Sequence, residues 1–176
     1  MPSSAFLPVE RVSGARPIID PSHDAIHDGR HFTVTHSVSV GTATAVSILF
    51  QTPSALSGNY IHFTCSIESD KGVDWTFSKV PNASGGSALV AYNNDENSAN
   101  TNPMQSLTHT ATYVSAGTIL ESHIMGTNQP STKLGGDAEA RNEWVLTPDR
   151  FYLIRAVALA ADTKINVVIP FYYREQ

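Results

Sequence analysis

The strongest constraint on this chain lies in residues 151–173. Phe151 to Leu159 reads FYLIRAVAL, Ala160 to Thr163 is a short turn, and Lys164 to Tyr173 reads KINVVIPFYY. Runs rich in Val, Ile and aromatic residues suit a pleated, half-buried strand. Two such runs joined by a tight connection predict a β-hairpin. Nothing in this stretch looks like catalytic apparatus, so it speaks for architecture and not for chemistry.

The same grammar recurs upstream. His31 to Val40 alternates, with Phe32, Val34, Val38 and Val40 on one face and Thr33, Thr35, Ser37 and Ser39 on the other. Ala43 to Gln51 is the next strand. Tyr60 to Glu68 places Ile61, Phe63, Cys65 and Ile67 inward, and Val73, Trp75 and Phe77 follow with period 2. Ser87 to Tyr92, Gln105 to Val114, Gly117 to Gly126 and Asn142 to Leu146 are further strand candidates. Asn93 to Pro103 (NNDENSANTNP) cannot supply core residues and reads as an exposed loop, as does Thr127 to Ala140. Eight to ten strands with no long helix predict an all-β, antiparallel two-sheet sandwich. A jelly roll suits that strand number. An immunoglobulin-like sandwich is the competing architecture, but it would need two domains to use 176 residues.

Composition agrees with one β domain. Charged residues make up 15% of the chain, below the ~25% of average globular proteins. Ser, Thr, Asn and Gly carry much of the polarity, which suits sheet surfaces and interfaces. The net charge of -5 leaves no basic stripe for nucleic acid. A single cysteine, Cys65, excludes an intrachain disulfide framework. No apolar run approaches the ~18 residues of a membrane helix, and the start lacks the pattern of a signal peptide.

Met1 to Asp28 stands apart from the β pattern. It holds Pro2, Pro8, Pro17 and Pro21 and shows neither period. It reads as an extended N-terminal arm preceding a domain at 29–176, with a disordered tail as the alternative. Phe6, Leu7, Val9, Val12, Ile18 and Ile19 are its candidate docking residues, toward the domain or a neighbour.

Reactive residues form no recognisable constellation. His23, His27 and His31 fall four apart, a spacing that aligns side chains on a helix face. Pro21 and Gly29 are expected to interrupt any helix there, and a metal site needs three or four converging ligands. His36 and His62 read as hydrogen-bonded residues within strands. The His-x-His of metal-binding cupins is absent, and so is Gly-x-Ser-x-Gly. Cys65 reads as a small buried hydrophobe. Glu121, Asp137, Glu139 and Glu143 sit where solvated charge is the ordinary explanation. Gly85-Gly86 and Gly135-Gly136 lack the context of a phosphate loop. Tyr60, Trp75, Tyr92, Tyr113 and Trp144 are read as core before sugar platform. The residues therefore assign no catalytic, cofactor-binding or metal-ligating group.

Four stretches together carry a family likeness: Ile26 to Phe32 (IHDGRHF), Ala83 to Asn94 (ASGGSALVAYNN), Leu107 to Gly126 (LTHTATYVSAGTILESHIMG) and Leu134 to Ala158 (LGGDAEARNEWVLTPDRFYLIRAVA). Their serial order resembles the jelly-roll capsid decoration, or cement, proteins of tailed bacteriophages. The resemblance spans roughly Ile26 to Tyr173. It implies a structural, non-enzymatic virion protein on the outer capsid surface, assembled in the host cytoplasm. Its implied partners are the major capsid protein and further copies of itself, as a trimer, with no direct nucleic-acid or membrane contact and no cofactor. The competing functions are a carbohydrate- or receptor-binding domain of a phage tail or fibre, and a jelly-roll enzyme.

Overall fold

The structure, a computed structural model, describes residues 21–54, 60–126 and 143–174. One helix, α1 (Pro21–His27), precedes fourteen strand segments among these residues. They are β1 (His31–Val40), β2 (Ala45–Gln51), β3 (Tyr60–Phe63), β4 (Ser66–Ser69), β5 (Val73–Val80), β6 (Ala83–Ser84) and β7 (Ser87–Ala88). There follow β8 (Tyr92–Asn93), β9 (Ser106–His109), β10 (Thr112–Tyr113), β11 (Thr118–Met125), β12 (Trp144–Leu146), β13 (Phe151–Ala158) and β14 (Thr163–Arg174). The first sheet runs β12-β3-β14-β1-β8, with β4 also paired to β14. The second runs β11-β5-β13-β2-β9-β7, and β6 and β10 form a separate two-stranded ribbon. The sheets are antiparallel and pack as the expected sandwich.

Alternation in sequence becomes the core directly. Phe32 and Val34 of β1, Ile61 and Phe63 of β3, and Ile165, Val167, Ile169 and Phe171 of β14 line the first inner face. Val46, Ile48 and Phe50 of β2, Val73, Trp75 and Phe77 of β5, and Tyr152 and Ile154 of β13 meet them from the second. An aromatic stack bridges the layers, with Phe63 5.0 Å from both Phe50 and Phe77. Burying each such ring contributes roughly 1.5–3 kcal/mol.

The terminal hairpin does not form. Strand β13 lies between β5 and β2, whereas β14 lies between β1 and the β3 lane of the opposite sheet. The short connection is an arch that crosses the sandwich, with Asp162 left-handed at φ 53° and Thr163 Oγ1 donating to the Ala160 carbonyl at 2.7 Å. Both edges of each strand are already paired with other strands, so no edge remains for its sequence neighbour. Residues 87–92 do not make one strand either. Segment β7 pairs with β9 in the second sheet and β8 with β1 in the first. The run from Gln105 to Val114 breaks at Thr110, whose φ is 57°, and yields β9 and β10.

Two further corrections concern what covers the sandwich. Pro21 and Gly29 bound a helix instead of interrupting one. Proline opens its first turn, where a missing N–H costs nothing. Gly29, at φ 64°, closes it: its N–H bonds Ile26 O at 2.9 Å and Arg30 N–H bonds Ala25 O at 2.8 Å. That pair of bonds is a Schellman cap. The described end of the arm is thus helical, and α1 lies against β1 and β14. On the other side, Leu49, Val80, Ala83, Ala111 and Leu153 form a second apolar cluster, with Tyr113 and Phe151 packed on it. The β6–β10 ribbon therefore buries the outer face of β2 and β13.

Candidate functional site

The most elaborately built surface feature is the anchor of α1. Ala25 is fully buried, so the helix is seated. Beyond the cap, the Gly29 carbonyl accepts from Asn93 Nδ2 at 2.9 Å and Asn100 Nδ2 at 3.2 Å. Asn100 Nδ2 also donates to the Asp28 carbonyl at 3.1 Å. Arg30 pairs with Asp28, and its guanidinium reaches the Tyr173 carbonyl at 3.5 Å. Asn94 N–H bonds the His31 carbonyl at 2.9 Å, and Thr33 Oγ1 donates to Asn94 Oδ1 at 2.9 Å.

The asparagine-rich loop is exposed, as its sequence predicts, but it is not loose. Asp95 N–H bonds Asn93 Oδ1, Asn97 N–H bonds Asp95 Oδ1, Asn100 N–H bonds Ser98 Oγ, and Met104 N–H bonds Asn102 Oδ1, all at 2.9–3.1 Å. Each is a side chain bonding backbone two residues on, which makes the loop a series of local turns. The pre-shaped loop closes over Gly29, where a Cβ would lie 2.0 Å from Ser98 Oγ. The anchor fixes α1 against the sandwich. Phe6, Leu7, Val9, Val12, Ile18 and Ile19 lie outside the described residues.

The reactive side chains are dispersed. Burial pushes the Cys65 thiol well above its ordinary range, with Glu121 adding repulsion, so it is a poor nucleophile. His23 and His27 bring their Nε2 atoms within 3.0 Å on the exposed face of α1, while His31 sits apart at the start of β1. His31 and His62 flank Tyr172 on the first sheet, with ring centroids 6.0 and 4.7 Å away. Glu143 accepts from Tyr172 Oη and lies 2.6 Å from His62 Nδ1. His62 is thus the hydrogen-bonded strand residue expected of it. His36 stacks on His109 at 4.6 Å between β1 and β9.

Glu121 departs from the expectation of a solvated carboxylate. A β-bulge between Ile119 and Glu121 turns its side chain inward, leaving it 9% exposed. Trp144 Nε1 donates to it at 3.0 Å and His123 Nε2 lies 2.9 Å away. An inward charge and a bulge on an open edge strand are devices against edge-to-edge pairing. Asp137 and Glu139 lie outside the described residues. Of the aromatics, Trp75 is core, while Tyr92 is 67% exposed and Tyr113 belongs to the outer cluster. They form no shared platform among the described residues.

A cleft of about 590 Å³ opens at one end of the second sheet. Lys79, Pro81, Ser115, Thr118, Arg150 and Phe151 line it, with Asp149 beside them. Thr52 holds the Arg150 backbone in place. Its Oγ accepts from Arg150 N–H at 3.0 Å, and its N–H and Oγ donate to the Arg150 carbonyl at 3.0 and 3.2 Å. Gly117 lets β11 start against β5, because a Cβ there would lie 2.0 Å from Lys79 O. Neither Lys79 nor Arg150 has a carboxylate within salt-bridge distance among the described residues.

The anchor was missed in sequence, although its signals were present. Proline at the first helical position and glycine just past the last are the expected helix boundaries. The two-residue spacing of Asn93, Asp95 and Asn97 is the spacing of serial side-chain turns. No protein-family model, curated protein or solved structure matches this chain.

Proposed function

We propose that this chain is a structural virion protein, a jelly-roll decoration or cement protein on the outer surface of a bacteriophage head. Its partner is the major capsid protein, and it acts as a homo-oligomer, in the first instance a trimer. The role requires no cofactor, no catalysis and no direct contact with nucleic acid or membrane. The observation that carries the reading is the meeting of two of the four family-like stretches at one place. Ile26 to Phe32 and Ala83 to Asn94, distant in sequence, build the anchor through the Asn93–Gly29 and Asn94–His31 bonds. A device that fixes the exit of an N-terminal segment suits a protein that reaches its neighbours with an arm.

The mechanism is mechanical. Each subunit bridges adjacent capsid subunits and opposes the pressure of packaged DNA. Preference for the assembled shell over its dissociated parts stabilises the shell by mass action. Few charges and many Ser, Thr and Asn side chains suit the polar, partly wet contacts of such an interface.

The test is co-sedimentation with intact heads. The full chain is expected to pellet with shells and not with dissociated capsid protein. Removing residues 1–20 is expected to abolish pelleting and leave the domain folded. The cut belongs before Pro21 and not after Asp28, because Ala25 is part of the packed structure. Equal pelleting of the truncated chain would remove the arm from the proposal, and absence of pelleting by the full chain would remove the function.

A second reading, a carbohydrate- or receptor-binding domain of a phage tail or fibre, draws on the cleft. Lys79 and Arg150, neither with a carboxylate partner among the described residues, the hydroxyls and the Phe151 ring are an arrangement that takes small polar ligands. Glycan-array binding that disappears in Lys79→Ala, with no pelleting on heads, would favour it.

A further inference from the structure

We propose that His23 and His27 form a two-imidazole chelate for a divalent transition metal of tetragonal or octahedral preference, Cu(II) or Ni(II). The helix places them one turn apart on an exposed face, with Nε2 atoms 3.0 Å apart. A metal about 2.0–2.1 Å from each nitrogen would see the pair at an angle of about 94°. That is the cis angle of a square-planar or octahedral centre. A tetrahedral ion would require the nitrogens about 3.3–3.4 Å apart. Imidazole suits Cu(II), Ni(II) and Zn(II) alike, and Cu(II) stands first among them in the general order of affinity for nitrogen ligands.

The other described histidines are not arranged for chelation. His36 and His109 stack face to face at 4.6 Å, so their lone pairs lie in roughly parallel planes. His62 is engaged by Glu143 and His123 by Glu121, and His31 is buried. His23 and His27 differ in being two exposed rings that meet each other, with no other side-chain partner among the described residues. Binding needs no redox step and no net proton loss. The ring that carries a proton on Nε2 moves it to Nδ1 through solvent, a small rotation turns both lone pairs to the metal, and water fills the remaining positions.

The consequence lies in the anchor. A helix of seven residues is far below the length that holds alone in water. A metal bridge from His23 to His27 closes one turn and braces α1. The site is independent of shell binding, and the two proposals fail in separate experiments.

The test titrates metal salts into the full chain and compares His23→Gln, His27→Gln and His36→Gln. One Cu(II) is expected to bind with an electron paramagnetic resonance spectrum of two equatorial nitrogens. Either α1 variant is expected to lose at least about tenfold in affinity, and His36→Gln to lose nothing. Cu(II) is expected to bind more tightly than Zn(II), and the bound metal to slow hydrogen exchange at the Asp28, Gly29 and Arg30 amides, whose acceptors lie in α1. Unchanged Cu(II) affinity in both α1 variants, or a loss that follows His36→Gln, would overturn the site. Zn(II) binding more tightly than Cu(II) would overturn the assignment to Cu(II).

Discussion

Two elements pack onto the sandwich, the β6–β10 ribbon on the second sheet and α1 against β1 and β14 of the first, and they are held by opposite means. On the second sheet the β6–β10 ribbon is fastened by apolar contact through Leu49, Val80, Ala83, Ala111 and Leu153. On the first sheet α1 is seated on Ala25 and fastened largely by asparagine side chains bonding backbone carbonyls. The apolar fastening extends the core, so it should be lost only when the domain unfolds. Each hydrogen bond of the polar fastening is worth a net ~0.5–1.5 kcal/mol, so that cover is a local unit able to open while the sandwich persists.

The largest expected effect tests the apolar cover. Leu153→Ala should cost about 2–5 kcal/mol of global stability, read as a fall in the urea midpoint. A cost below about 1 kcal/mol would show that the ribbon is not part of the cooperative core. Gly86→Ala comes next. Its φ is 89° and a Cβ would lie 2.6 Å from the His109 carbonyl, which is backbone and cannot swing aside. The expected cost is about 1–3 kcal/mol, again global.

Asn100→Ala tests the polar cover. It removes two donors from the Asp28 and Gly29 carbonyls. Exchange of the Gly29 and Arg30 amides should rise about fivefold, the equivalent of ~1 kcal/mol, with the urea midpoint nearly unchanged. A matching fall in that midpoint would make the two covers one cooperative unit and erase the distinction.

The smallest effect is the pH dependence. Burial, and then the neighbouring His109, hold the His36 pKa below the ordinary 6.5, and burial lowers that of His31 despite an opposing bond to Asn94. In the window below 6.5 the unfolded chain binds more protons than the native one, so these groups erode stability as pH falls. The erosion stops once pH is below the folded values. Urea midpoints at pH 7.5 and 5.0 should show it, and His36→Gln should flatten the slope. A native state that gains stability from these groups on acidification would contradict the burial assigned to them.

Much of the sandwich was legible because a strand carries its orientation in its own period. Phe32 and Val34, then Ile61, Phe63, Cys65 and Ile67, and then Val73, Trp75 and Phe77 face inward as alternation requires. The second cluster was not legible. Leu49 and Leu153 break alternation, but a residue that breaks a pattern does not say what will cover it. The anchor was legible in part, since Pro21, Gly29 and the paired asparagines each have a local meaning, while their convergence depends on residues more than sixty positions apart. Glu121 was misread because a bulge of one residue reverses the face of a side chain, and no composition reports a bulge.

What the sequence determined by itself is the class of fold and the inner face of most strands, because both follow from nearest-neighbour geometry along the chain. Only the tertiary structure decided the pairing. Phe151 to Tyr173 reads as two strands and a turn whether the turn folds them together or carries the chain across the sandwich. The choice fell to the crossing because β5 and β2 take both edges of one strand, and β1 and the β3 lane both edges of the other. Competition for strand edges is settled among distant segments, and no local run of residues contains it.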